Sequence, residues 1–249
     1  MSSGIKVLLG VTMSSALAFG FLDPLFPEAA ISLKRLHVFL FNLLSGGTLI
    51  IYYTAGREVR SPKVVLFFFL ALAYALCCAA RWYIPALVLS VPLFAVVEWS
   101  RISRFSFLPL DFFRPRVPVH DKFHQASLLC LSIGVVIAAV VILNNEYFHW
   151  VAWEKLTLDV FFLGYSFPIS LVTMSLMFSF MTEEVGAPVK VLKEICFWLV
   201  NLGVIVFFVF IIAEQFQMEI VASSTLFVTV CVIFAIFLRT APAVQQKTF

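Results

Sequence analysis

Between Ile5 and Leu238 the chain is a succession of apolar runs, each about as long as a bilayer is thick, joined by short polar stretches. No other feature constrains the fold as strongly. Lipid offers the backbone no hydrogen-bond partner, so a spanning segment satisfies itself as a helix of about 20 predominantly apolar residues. Eight such windows are predicted, at 5–22, 37–54, 64–80, 82–99, 126–143, 158–181, 191–213 and 221–238. The expected fold class is therefore all-α integral membrane. Composition agrees: 62% of residues are hydrophobic and 12% charged, against about 45–50% and about 25% in soluble domains. The window 82–99 holds Pro85 and Pro92, and its flanking Trp82, Tyr83 and Trp99 suit interfacial anchors of a span. At the start, Lys6, an apolar run and Ala16-Leu17-Ala18 resemble a cleavable signal. The run continues through Phe19 to Leu22 before Asp23-Pro24, and a retained first span is expected.

Charge sets the expected direction of these spans. With eight windows, only Lys34, Arg35, Arg81 and Lys155 of the 17 basic residues fall on the side opposite the N-terminus. The positive-inside rule then predicts a multi-pass protein of the cell inner (plasma) membrane with both termini cytoplasmic. Residues 100–125 form the longest joint, with five basic residues mixed with Phe105, Phe107, Leu108, Phe112, Phe113 and Phe123, and with Pro109, Pro115 and Pro118 forbidding one long helix. A cytoplasmic linker lying on anionic lipid headgroups is expected there, with a docking surface for a membrane or cytoplasmic protein partner as the alternative. Nothing in the chain points to nucleic acid.

Four windows precede this linker and four follow it, which divides the chain into halves at 1–99 and 126–249 joined by 100–125. Two short matches support a duplicated four-helix unit. Glu58-Val59-Arg60-Ser61-Pro62 aligns with Glu184-Val185-Gly186-Ala187-Pro188, and His37-Val38-Phe39 with Asp159-Val160-Phe161, at offsets of 126 and 122 residues. Halves with an even number of spans insert in the same orientation, as parallel repeats. Proline at a helix start is common enough to produce the first match without duplication.

The second window carries Asn42, Ser45, Gly46, Gly47 and Thr48, with Asn42, Ser45 and Thr48 three residues apart on one helical face. Ser166, Ser170 and Thr173, beside Gly164 and Pro168, are the counterpart in the sixth window. Interrupted helices in corresponding halves point to a substrate site near the midplane. Small and hydroxylated residues at this spacing are equally how membrane helices pack closely. No window has an ionisable residue at its centre, which argues against a proton pump or voltage sensor. Paired membrane aspartates and H-E-x-x-H are absent, which argues against intramembrane proteolysis.

Of the histidines, His37 and His149 are expected on the outer side, where seven acidic residues face four basic ones, and are candidate metal or haem ligands. His120 and His124, spaced i, i+4, lie at the mouth of the fifth window. Five cysteines sit within apolar windows without a C-x-x-C pair and read as packing residues. The 29 phenylalanines suit a bound pigment or quinone, or simply a lipid-facing surface. Three function classes follow: a transporter or facilitator of a small neutral or weakly polar solute, a membrane subunit of a haem or quinone redox assembly, and a structural or assembly protein. Transport is placed first, because it alone uses the two interrupted windows. Catalysis is the least supported.

Overall fold

The computed structural model describes residues 3–26, 30–58, 61–152, 162–181 and 187–240, and among these there is no strand. The helices are α1 (Ser3–Leu22), α2 (Leu33–Val38), α3 (Thr48–Thr54), α4 (Pro62–Ala79), α5 (Tyr83–Arg104), α6 (Val119–Leu143), α7 (Phe162–Ser179), α8 (Ala187–Ile212) and α9 (Phe216–Thr240). A π-helical stretch, Phe39–Gly47, fuses α2 and α3 into one helix, Leu33–Thr54. Among the described residues, seven helices are long and apolar enough to cross a membrane. The sixth window of the sequence corresponds to α7, whose apolar stretch Ser166–Ser179 is shorter, and residues 158–161 of that window lie outside the described residues.

Several joints have a plain local cause. Ser32 caps α2, its hydroxyl accepting from the Arg35 N–H at 3.3 Å. Pro62 opens α4 and Pro188 stands in the first turn of α8, where the missing N–H costs nothing. That preference accounts for the proline in each of the two short motifs, of which Val59, Arg60 and Glu184 to Gly186 lie outside the described residues. Three helices close with an N–H reaching back five residues: Arg57 to the Tyr52 carbonyl (3.0 Å), Trp82 to Cys77 (2.8 Å) and Gln215 to Phe210 (3.0 Å). The left-handed residues in these closures are Gly56 with Arg57, Arg81, and Glu214, at φ 72°, 67°, 61° and 56°. Only the glycine adopts that conformation without steric cost.

The linker is shorter than the sequence predicts. Helix α5 runs on to Arg104 and α6 starts at Val119, so only the stretch between them leaves the α-helix, with one 3₁₀ turn at Leu110–Phe113. The Pro118 carbonyl accepts from the Asp121 and Lys122 N–H groups and so begins α6 among polar residues that a hydropathy window rejects.

The chain forms two compact units, Met1–Pro109 with Ser127–Ser170, and Leu110–Ala126 with Leu171–Phe249. In the first unit α4 pairs with α5, and α1 lies along α2 and the π stretch. The fused α2–α3 helix is its most buried element, with Phe39, Leu43, Leu44, Ile50 and Ile51 fully enclosed. Phe39 meets Tyr74 edge to face at 5.6 Å. Arg35 reaches across to the turn after α4, donating to the Cys78 carbonyl (3.2 Å) and the Tyr83 hydroxyl (3.1 Å). At the end of α5, Arg101 is 3% exposed and donates to Glu98 and to the carbonyls of Ser106 and Phe107, which ties the linker's first turn to the helix. Lys63 stands 4.8 Å over the Trp99 ring, so the proposed anchor is also a packing partner.

In the second unit α8 and α9 pair along their length, and Gly203 lets the Leu226 side chain approach: a Cβ there would lie 2.8 Å from it. Phe123 stacks on Phe178 at 5.3 Å and meets Phe197 edge-on at 5.2 Å. Phe112 also packs on Phe197, at 5.4 Å. Two of the linker's aromatics therefore serve a protein core.

Candidate functional site

The interior of the first unit is built around the π stretch. A π-helix bonds i to i+5 and usually appears as a single widened turn, often at functional sites. Here it lasts nine residues. Two glycines weaken the α-helical alternative at its end. The Ser45 hydroxyl donates to the Leu40 carbonyl, five residues back, at 2.8 Å, which matches the wider turn.

Asn42, Ser45 and Thr48 are 3%, 1% and 1% exposed, so the structure brings the first predicted cluster together inside the unit. Their polar atoms fare differently. Ser45 Oγ lies 2.9 Å from Thr12 Oγ1, which itself stands 3.0 Å from the Leu9 carbonyl, so a chain of hydroxyls ties α1 to the π stretch. By contrast Asn42 Nδ2 and Thr48 Oγ1 are buried and have no hydrogen-bond partner among the described residues. Nearly all buried polar groups in proteins are paired, and an orphan donor costs about 1–3 kcal/mol. Gly46 and Gly47 are filled positions: a Cβ on Gly46 would collide with Ile169 of α7, and one on Gly47 would lie 2.5 Å from Phe67 of α4. Close packing and orphan polar groups thus coexist within seven residues.

The second predicted cluster is placed less deeply. Ser166 is half-buried, Ser170 is exposed on the chain's surface, and Thr173, in the second unit, is exposed as well. Pro168 is buried between them and removes one helical N–H. Through Ile169, next to Pro168, α7 reaches Gly46.

His37 acts as a helix clamp. Its Nδ1 lies 2.9 Å from the Ala16 carbonyl, so Nδ1 carries the proton, and the ring covers Gly20, where a Cβ would meet it at 2.8 Å. His149 is exposed, at φ 51° after the π turn Asn144–Phe148 that ends α6. The bracket there is Asn144, 3% exposed, whose amide donates to the Val151 carbonyl and accepts from the Val151 N–H, both at 2.9 Å. Among the described residues no three His, Cys, Asp or Glu side chains converge as a metal site. His120 and His124 divide: His124 is buried, while His120 is half-exposed, 3.6 Å from Asp121. All five cysteines are free thiols; Cys78 and Cys196 are buried and Cys231 is exposed.

Thr12 was missed by sequence reasoning. It stands with Ser14 and Ser15 in an apolar window, and a hydroxyl in a span, facing a neighbouring helix, was the available signal. Lys122 and Glu194 were missed too, because their pairing depends on two segments 72 residues apart: Nζ lies 2.8 and 2.9 Å from the two carboxylate oxygens. No family profile, curated protein or solved structure matches this chain.

Proposed function

We propose that this chain is a plasma-membrane transporter or facilitator of a small neutral or weakly polar solute, with eight spans and both termini cytoplasmic. One observation carries the reading. Two buried polar atoms, Asn42 Nδ2 in the π-helical stretch of the first unit and Thr48 Oγ1 just after it, have no hydrogen-bond partner among the described residues. Irregular helices at membrane depth persist where they line a cavity or a passage. An amide donor and a hydroxyl suit a solute with oxygen acceptors, and the charge-free lining suits a neutral one. The proposed lining is Asn42, Ser45 and Thr48, with Ser166 of α7 beside Ile169.

The eighth span rests on α7, and the sidedness on the distribution of Lys and Arg. A haem or metal reading draws no support from His37, engaged with Ala16, or from the exposed His149. The duplicated-halves reading rests on the two short sequence matches, since the π device occurs in the second window and α7 is α-helical over its described length.

Flux into proteoliposomes tests the proposal. Stopped-flow light scattering with glycerol, urea and small sugars should show permeation above protein-free vesicles, returning to that background in Asn42→Leu and Thr48→Val. Equal permeation by the wild type and empty vesicles for every solute refutes it.

A further inference from the structure

Ile169 of α7 and Phe67 of α4 close on the end of the π stretch. A Cβ on Gly46 would collide with the Ile169 side chain, and one on Gly47 would lie 2.5 Å from the Phe67 ring and 3.6 Å from Leu131 of α6. Each glycine is therefore a notch that a neighbouring helix fills. Their place along the helix gives the notches a meaning beyond packing. Asn42 and Gly46 are four residues apart, so Ile169 lies about one turn from Asn42 on the same face, and Thr48 follows beyond it. A solute moving along this helix from the Asn42 amide to the Thr48 hydroxyl meets Ile169 between them. The fillers differ in how firmly they are held. Phe67 and Leu131 are fully enclosed and sit within continuous helices. Ile169 is half-buried, and Pro168 beside it takes one N–H out of the α7 ladder, which weakens the helix at the turn that carries Ile169. The stretch that Ile169 faces is π-helical and ends in two glycines, which favour a helix less than any residue but proline.

Resting on the transport reading above, we infer that Ile169 is the gate of the passage. Seated in the Gly46 notch, its side chain puts apolar carbon between two polar groups, and a hydrophobic constriction of this kind excludes water and polar solutes. Bending of α7 at Pro168 withdraws Ile169, empties the notch and joins the Asn42 amide to the Thr48 hydroxyl. Phe67 and Leu131, fixed in α4 and α6, stay as the wall behind Gly47. The glycine at position 46 is then needed twice, to admit Ile169 when the passage is closed and to leave a width free when it is open.

Thiol labelling and flux in proteoliposomes test the gate together. The reporter is Thr48→Cys in a chain whose five native cysteines are replaced by Ala, modified by the neutral reagent 2-hydroxyethyl methanethiosulfonate and followed by mass spectrometry. With Ile169 in place, modification should be slow. Ile169→Ala should speed it about tenfold, the effect of a barrier lower by about 1.4 kcal/mol, with Ile169→Val in between. Leu93→Ala, which trims a fully enclosed side chain of α5 in the same unit, should leave the rate unchanged and so controls for general loosening. An equal rise in Leu93→Ala, or no rise in Ile169→Ala, overturns the gate. Glycerol flux through the chain with its native cysteines and Thr48 separates this outcome from that of the transport reading, and should rise in Ile169→Ala. Wild-type flux together with labelling and flux indifferent to Ile169 overturns the gate and leaves transport standing. Labelling that depends on Ile169, with no wild-type flux of any solute, supports the gate and refutes transport.

Discussion

Asn42→Leu should make this protein more stable while removing its transport. Burial comes first: among the described residues Asn42, 3% exposed, has no partner for its Nδ2, and Thr48, 1% exposed and six residues on, has none for its hydroxyl. An unsatisfied buried donor costs about 1–3 kcal/mol, and the lower end applies in a membrane, where polar contacts between helices average about 0.6 kcal/mol. Leucine and valine keep the approximate shape of asparagine and threonine and delete the orphan atoms. Each substitution should stabilise by about 1 kcal/mol and the pair by about 2 kcal/mol, which at this chain length raises the thermal midpoint by about 4–8 °C. Ser45→Ala is the internal control, since its hydroxyl is bonded to Leu40 and Thr12 and its loss should cost about 1 kcal/mol. Thermal scans of the three purified variants in one detergent read the signs directly. If Asn42→Leu lowers the midpoint as Ser45→Ala does, the amide is a structural group and the reasoning fails. A gain in stability together with a loss of flux is the trade-off expected of a site held ready for a ligand.

Three further outcomes are expected. Gly46→Ala should destabilise by about 1–3 kcal/mol because its Cβ meets Ile169, and Ile169→Ala in the same chain should recover much of that in a double-mutant cycle read by thermal unfolding. Lys122→Met should cost about 1–3 kcal/mol by stranding the Glu194 carboxylate, less than for a fully enclosed pair because Glu194 is 23% exposed; Lys122→Met with Glu194→Leu should return close to wild type. Glu214→Gly should raise the midpoint modestly, by about 0.5–1 kcal/mol, because glycine takes the left-handed closure of α8 without strain, and a fall would show that the Glu214 side chain contributes there.

How much of this was legible beforehand follows from the range of each interaction. Span positions were readable because they depend on runs of adjacent residues: the windows at 5–22, 64–80 and 191–213 fall within helices of nearly the same extent. The start of α6 was not, because five of the seven residues from Val119 to Gln125 are polar or charged, and the pairing of Lys122 with Glu194 and the stacking of Phe123 on Phe178 make that turn part of a buried helix. His37 looked like a ligand because of its type and its place at a window's mouth, and its bond to the Ala16 carbonyl depends on α1 lying alongside.

Asn42, Ser45 and Thr48 show the same division within one stretch. The sequence alone determined that these residues share a helical face in a span without charge, and the two glycines marked that span as breakable. Only the tertiary structure decided which polar atoms are satisfied. Thr12 approaches Ser45 from another helix, and no hydrogen-bond partner among the described residues reaches Asn42 Nδ2 or Thr48 Oγ1. Hydrogen bonds act over about 3 Å, and which atoms come that close across helices is set by how those helices pack, here with Gly46 against Ile169 and Gly47 against Phe67.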